Sequence, residues 1–218
     1  MGNHTLTIFR KFHGTINHIS DENQSTRIDC NSRHMKRLFL AIDLPERIID
    51  DITATYMAIP GTRWVHEEQL HLTLRFFGEL PGDREERLIK TLASVTLPSF
   101  SLRVKGSGHF PPRGEPRVLW LGVTPQDELS RLASSVESSV VSAGFNREPR
   151  KFNGHITVAR CRSASSERVA QYIAANSLFT SEPFTVSAFH LYASHLGKDH
   201  ATYTREVTFP LGETGLLM

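Results

Sequence analysis

One stretch constrains this chain more than any other: Leu70–His71–Leu72–Thr73–Leu74–Arg75–Phe76–Phe77–Gly78. Side chains of a strand alternate between its two faces. Leu70, Leu72, Leu74 and Phe76 are therefore expected on one face, and His71, Thr73 and Arg75 on the other. The first row is apolar and suits a core. The second can move a proton, donate to an anionic oxygen and carry positive charge. Gly154–His155–Ile156–Thr157–Val158–Ala159–Arg160 repeats the theme. The expectation is that the two His-x-Thr strands face each other across one cleft and hold a phosphate between them.

The elements around them alternate. Arg37–Leu44 is an apolar run of strand length, and Pro45 suits the first turn of a helix. Ile48, Ile49, Ile52 and Tyr56 keep helical spacing, and Asp83–Val95 does so through Leu88, Ile89 and Leu92. Phe100–Ser107 alternates as a strand, and Gly106–Pro116 reads as a Gly/Pro loop. Val118–Val123 is a short apolar strand. Thr124 with Asp127 resembles a helix cap before the Leu129, Leu132, Val136, Val140 face, which Gly144 ends. Ser165–Ala175 is a further helix, and Phe184–His195 and Thr202–Leu211 are two more strands. Each His-x-Thr strand follows one helix and precedes another. Mixed helix and sheet with short hairpins is α+β.

The 218 residues allow one well-buried domain, with room for two lobes. Residues 1–34 are polar and lack periodicity, so they are expected as a poorly ordered N-terminal extension, with the domain spanning 35–218. A net charge of +2 without a Lys/Arg run argues against coating nucleic acid by bulk charge. It leaves room for a short or terminal nucleotide. Cys30 and Cys161 form neither a metal spacing nor a disulfide framework. No membrane span or secretory core is evident, so a cytoplasmic setting is expected.

His-x-Thr alone is a weak signal. With 11 His in the chain, chance gives roughly one match. Four occur: His13/Thr15, His71/Thr73, His155/Thr157 and His200/Thr202. Only those at 71 and 155 have apolar residues alternating through them and Arg just downstream. A bland alternative makes each His a packed strand residue. A metal site is a third reading, but no Cys, Asp or Glu stands at metal spacing beside them.

Phosphodiester cleavage needs a base for the attacking oxygen and an acid for the leaving one. Imidazole titrates near pH 6.5, so one ring can be neutral and its partner charged. Each Thr points to the side of its His and can donate to a non-bridging oxygen. An Arg can offset charge that builds in the transition state. Arg75 stands four after His71 and is expected on its face. Arg160 stands five after His155 and reaches the cleft only if the strand bends, bulges or ends near Ala159. The competing reading of either Arg is a solvated charge at a strand end.

The His-Leu-Thr-Leu and His-Ile-Thr-Val pair resembles the 2H phosphoesterase superfamily. The flanks RLFLAIDLP (37–45), WVHEEQLHLTLRFFGEL (64–80), PRVLWLGV (116–123) and LYASHL…YTREVTFPL (191–211) resemble its RNA 2′,3′-cyclic phosphodiesterase (2′-5′ RNA ligase) branch. The resemblance implies a bilobal α+β fold: two pseudo-symmetric lobes of antiparallel sheet, helices outside, a central cleft. It implies metal-independent opening of an RNA-terminal 2′,3′-cyclic phosphate to a 2′-phosphate, with no cofactor. His71 is then the proton donor to the 3′ oxygen and His155 the acceptor that activates water. Thr73 and Thr157 hold the phosphate. Arg160 matches the basic residue after the second motif, and Phe39 is a weaker candidate for touching the nucleotide, with plain core as its competing role. The implied partners are RNA ends or small cyclic nucleotides; a monomer with no obligate protein partner is expected. Gly154 departs from the usual Pro before the second His, and a looser backbone leading into that strand is expected. Alternatives are reversible 2′-5′ ligation by the same residues, RNA-end binding without catalysis, and a scaffold role that binds no phosphate.

Overall fold

The computed structural model describes residues 35–197 and 201–212. The expected N-terminal extension lies outside the described residues, as do His13 and His200 of the two weaker pairs. The described residues all belong to one unit, Asn31–Met218.

The elements run β1 (Lys36–Asp43), α1 (Glu46–Thr53), β2 (Thr62–Trp64), a 3₁₀ turn (Glu67–Gln69), β3 (His71–Leu80), α2 (Gly82–Leu92), β4 (Phe100–Phe110), β5 (Val118–Thr124), α3 (Gln126–Ser142), β6 (His155–Cys161), α4 (Ser166–Ala175), β7 (Phe184–Val186), β8 (Ala188–Leu196) and β9 (Ala201–Pro210). The strands form one antiparallel sheet in the order β7-β4-β5-β6-β3-β1-β8-β9, with β2 also paired to β6. The fold is α+β. Along this order the sheet falls into two halves of four strands, with β2 added to the half that holds β6, and the two His-x-Thr strands are the innermost strand of each. They meet through a single registered pair, Leu72 with Ile156.

The helices cover the apolar side. Ile48 and Ile52 of α1, Leu88 and Leu92 of α2, Leu129, Leu132, Val136 and Val140 of α3, and Val169 and Tyr172 of α4 join Leu72, Leu74, Ile156 and Val158 in one buried cluster. Each wholly buried Leu or Ile contributes about 1.5–3 kcal/mol. This fixes which face of each strand turns away from the helices.

Three local expectations are corrected. Thr124 does not cap α3. It is still in β5, paired with Arg103, and the cap position belongs to Pro125. The run 184–195 is two strands: β7 pairs with β4, whereas β8 pairs with β1. β4 continues through Gly106 and Gly108 to Phe110. Gly108 is needed there because a Cβ would meet the Trp120 ring at 2.2 Å. A glycine that admits a neighbouring ring marks close approach inside a strand as readily as it marks a loop.

Candidate active site

The register at the sheet's seam gathers the motif residues. Residues directly opposite each other in a ladder share a face. Continuing the Leu72–Ile156 register sets His71 opposite Thr157 and Thr73 opposite His155. Leu72 and Ile156 point to the core, each wholly buried, so the four polar side chains all turn to the open side. On an undistorted ladder the His71–His155 diagonal is about 7–8 Å. His71 also responds electrostatically to His155 and to Arg160. No hydrogen bond among the described residues engages the hydroxyl of Thr73 or Thr157.

Two bulges decide which way the residues beyond each motif point. On β6 the partner of Trp120 is Thr157 and the partner of Leu119 is Ala159, so one residue is extra. Val158 and Ala159 are consecutively buried, and Arg160 emerges on the face of His155. The bulge that Arg160 needed is present. On β3 the same device acts in the opposite sense to expectation. Ala41 pairs with Thr73 and Leu40 with Arg75, which again leaves one residue extra. Arg75 therefore turns away from His71 into the core side, 8% exposed. There it forms an ion pair with Glu137 of α3, and its Nη2 donates to the Asn146 carbonyl. Phe76, expected on the apolar face, emerges instead at the fifth position after His71 and is 60% exposed.

The two imidazoles are held alike. His71 Nδ1 lies 2.7 Å from the Gln69 carbonyl and His155 Nδ1 lies 2.7 Å from the Asn153 carbonyl. A carbonyl only accepts, so each Nδ1 carries the hydrogen and each Nε2 is left for a ligand. Each ring also meets a phenylalanine at 5.0 Å between centroids, Phe39 for His71 and Phe110 for His155. Phe39 is 3% exposed and lies among His71, Phe76, Tyr192 and Tyr203, so it is chiefly a support for those rings.

Burial holds the His71 imidazole below the ordinary histidine range, and the charges of Arg160 and His155 push the same way. The Gln69 carbonyl and the Asp43 carboxylate oppose them. Asp43 stands directly opposite His71 on β1. Its carboxylate pairs with Arg205 and accepts from the Tyr192 hydroxyl at 2.6 Å. Burial pushes that hydroxyl up to about 12, so it stays protonated. Beside His71 is a cavity of about 370 Å³ lined by Phe39, Asp43, Glu68, Leu70, Tyr192, Tyr203 and Arg205.

Gly154 corrects the expectation of a looser lead into β6. A Cβ there would meet Leu129 Cδ2 at 2.3 Å, and the Gly154 carbonyl accepts from Gln126 Nε2 at 3.1 Å. The backbone before His155 is thus pinned against α3. Gly154→Ala is expected to cost about 1–3 kcal/mol by overpacking. Adding Leu129→Ala should return part of that loss; chemical denaturation of the single and double variants measures it.

Phe110, Trp120, Asp43, Tyr192, Tyr203 and Arg205 were not singled out from the sequence. Phe110 was hidden by its glycine-rich surroundings. Asp43 carried a signal only through its partner strand.

A family model described as the 2'-5' RNA ligase superfamily matches residues 43–198, which include both motifs. The chain belongs to the 2'-5' RNA ligase superfamily. Within the superfamily it is 37% identical over 134 residues to the RNA 2',3'-cyclic phosphodiesterase of Archaeoglobus fulgidus, covering 60% of this chain and 76% of that one. It is 34% identical over 179 residues to the RNA 2',3'-cyclic phosphodiesterase of Escherichia coli K12, covering 78% of this chain and 93% of that one. Among solved structures, Escherichia coli LigT complexed with 3'-AMP matches with a TM-score of 0.68 at 30% identity, over 83% of this chain and all of that one. No helix among the described residues is long and apolar enough to cross a membrane.

Proposed function

We propose that this chain is an RNA 2′,3′-cyclic phosphodiesterase that opens a terminal cyclic phosphate to a 2′-phosphomonoester. Water attacks phosphorus and the bond to the 3′ oxygen breaks. His155 Nε2 takes the proton of the attacking water, and protonated His71 gives its Nε2 proton to the departing 3′ oxygen. Thr73 and Thr157 donate to the non-bridging oxygens, and Arg160 offsets the charge that builds on them. Phe39 backs the ring of His71. The substrates are RNA ends or small cyclic nucleotides. The chain works as a monomer in the cytoplasm, with two imidazoles supplying both proton transfers. The observation that carries this reading is the Leu72–Ile156 register, which turns both motifs to one face. The relatives named as RNA 2',3'-cyclic phosphodiesterases support the choice of substrate.

The test is incubation of a short RNA ending in 2′,3′-cyclic phosphate, with EDTA present, followed by phosphorus NMR. A 2′-phosphate product is expected. A 3′-phosphate, or no turnover by the folded protein, contradicts the proposal.

His71 gives the reaction a pH signature. Its burial favours the neutral form, so the charged, donating form in the free protein fades as pH rises through a value below about 6.5. A bound phosphate dianion or diester favours the charged imidazole and raises that value. The alkaline fall of kcat is therefore expected at higher pH than the alkaline fall of kcat/KM. Coincident profiles would count against His71 as the donor.

A further inference from the structure

The two motif histidines are seated alike on their own strands, but their neighbours on the flanking strands differ. Opposite His71 on β1 stands Asp43, and opposite His155 on β5 stands Gly122. Directly opposed residues share a face, with Cβ atoms about 4.5–5.5 Å apart. A carboxylate therefore flanks one ring, and the matching place beside the other holds no side chain. That blank is enforced. A Cβ on Gly122 would meet the Lys105 carbonyl oxygen at 2.7 Å, and a backbone atom cannot swing aside. The carboxylate is equally fixed. Its Oδ1 accepts from the Tyr192 hydroxyl at 2.6 Å, and its Oδ2 pairs with Arg205. His190 Nε2 lies 3.7 Å from Oδ2, and burial holds that imidazole toward its neutral form, so it adds no charge. The proton transfers assigned above make no use of this cluster.

We infer that Asp43 is the positioning residue that keeps the donated proton on His71, and that the bare Gly122 position leaves His155 without such a partner and so ready to accept one. This rests on the function proposed above and adds what sets the two rings apart. Two like imidazoles can exchange the roles of acid and base. A fixed negative charge beside only one of them decides which ring brings the proton into the reaction. The other groups around His71 do not take its place. His155 and Arg160 of β6 oppose a charged ring, as burial does. Tyr203 of β9 meets the imidazole edge-on at 5.4 Å between centroids, and burial keeps its hydroxyl protonated and uncharged, as it keeps that of Tyr192 on β8. Glu68 of the turn before β3 lines the same cavity, but Asp43 is the carboxylate whose charge acts on the imidazole. Arg205 offsets part of the Asp43 charge, so the expected effect is moderate rather than that of an isolated pair.

The experiment titrates the ring protons of both histidines by NMR in the unliganded protein and in Asp43→Asn, and follows kcat/KM for adenosine 2′,3′-cyclic phosphate over the same pH range. Asparagine keeps an oxygen for the Tyr192 hydroxyl and removes the charge. In Asp43→Asn the His71 titration is expected to move down by about half to one pH unit, with that of His155 staying within about 0.2 pH unit. The neutral ring then appears at lower pH, so kcat/KM on the alkaline side should fall about three- to tenfold. On the acid side His71 is charged in both proteins, and kcat/KM should stay within about twofold. Asp43→Glu restores the charge and should keep the His71 titration within about 0.3 pH unit of the original. An unmoved His71 in Asp43→Asn, an equal move of both histidines, an equal move in Asp43→Asn and Asp43→Glu, or a loss of kcat/KM by one factor at every pH overturns the inference. Thermal unfolding checks each variant, and Asp43→Ser takes the place of Asp43→Asn if the latter does not fold. If the unsubstituted protein opens no cyclic phosphate, the functional reading fails by itself, and the NMR titration alone then decides on Asp43.

Discussion

Replacing His155 with alanine should lower kcat by at least about 10²-fold, and replacing His71 should do the same. Each ring is tied through Nδ1 to the carbonyl two residues upstream, so Nε2 alone faces the open side. Alanine therefore removes a proton acceptor or donor, together with the ring contacts to Phe39 and Tyr203 at His71 or to Phe110 and Trp120 at His155. The double variant should lose little more than the worse single one, because acid and base act on one transition state. Initial rates on adenosine 2′,3′-cyclic phosphate measure these losses, with thermal unfolding as a check that each variant is folded. Full activity in either single variant contradicts the acid/base assignment.

Replacing Arg75 should instead damage the fold and spare the chemistry. Its guanidinium lies beneath β3, paired with Glu137 and the Asn146 carbonyl and placed 5.1 Å from the centroid of Phe77. Alanine there strands a carboxylate and a carbonyl. Breaking a buried pair by deleting one partner costs about 3–5 kcal/mol. Glu137 keeps a hydrogen bond from the Glu148 amide and is 21% exposed, which favours the lower end of that range. A Tm lowered by roughly 10 °C is expected, with kcat below the transition within about twofold of the original. A collapse of kcat at unchanged Tm would instead put Arg75 in the cleft.

Arg75 and Arg160 show where the sequence could be read and where it could not. Alternation located both motif strands and put His71, Thr73, His155 and Thr157 on faces opposite their apolar neighbours. It failed one residue beyond each motif because a bulge resets the phase, and nothing in Leu74–Arg75 or Val158–Ala159 announces an extra residue. Arg75 and Phe76 exchanged faces for that reason, while Arg160 came to the cleft only through its bulge. β2 has three residues and owes its existence to pairing with β6, which no local pattern records. Phe110 and Gly154 depended on partners distant in the chain, Trp120 and His155 for one and Leu129 for the other. The resemblance to known relatives named the family from residues that local periodicity could only place.

The most direct test tracks the ring nitrogens of both histidines by ¹⁵N NMR while adenosine 2′-monophosphate is added. If both imidazoles grip the same anion, the Nε2 signals of His71 and His155 move together, with one dissociation constant and one equivalent of ligand. Movement of one ring alone, or of the two with different dissociation constants, would mean that the strands at the seam do not share a phosphate.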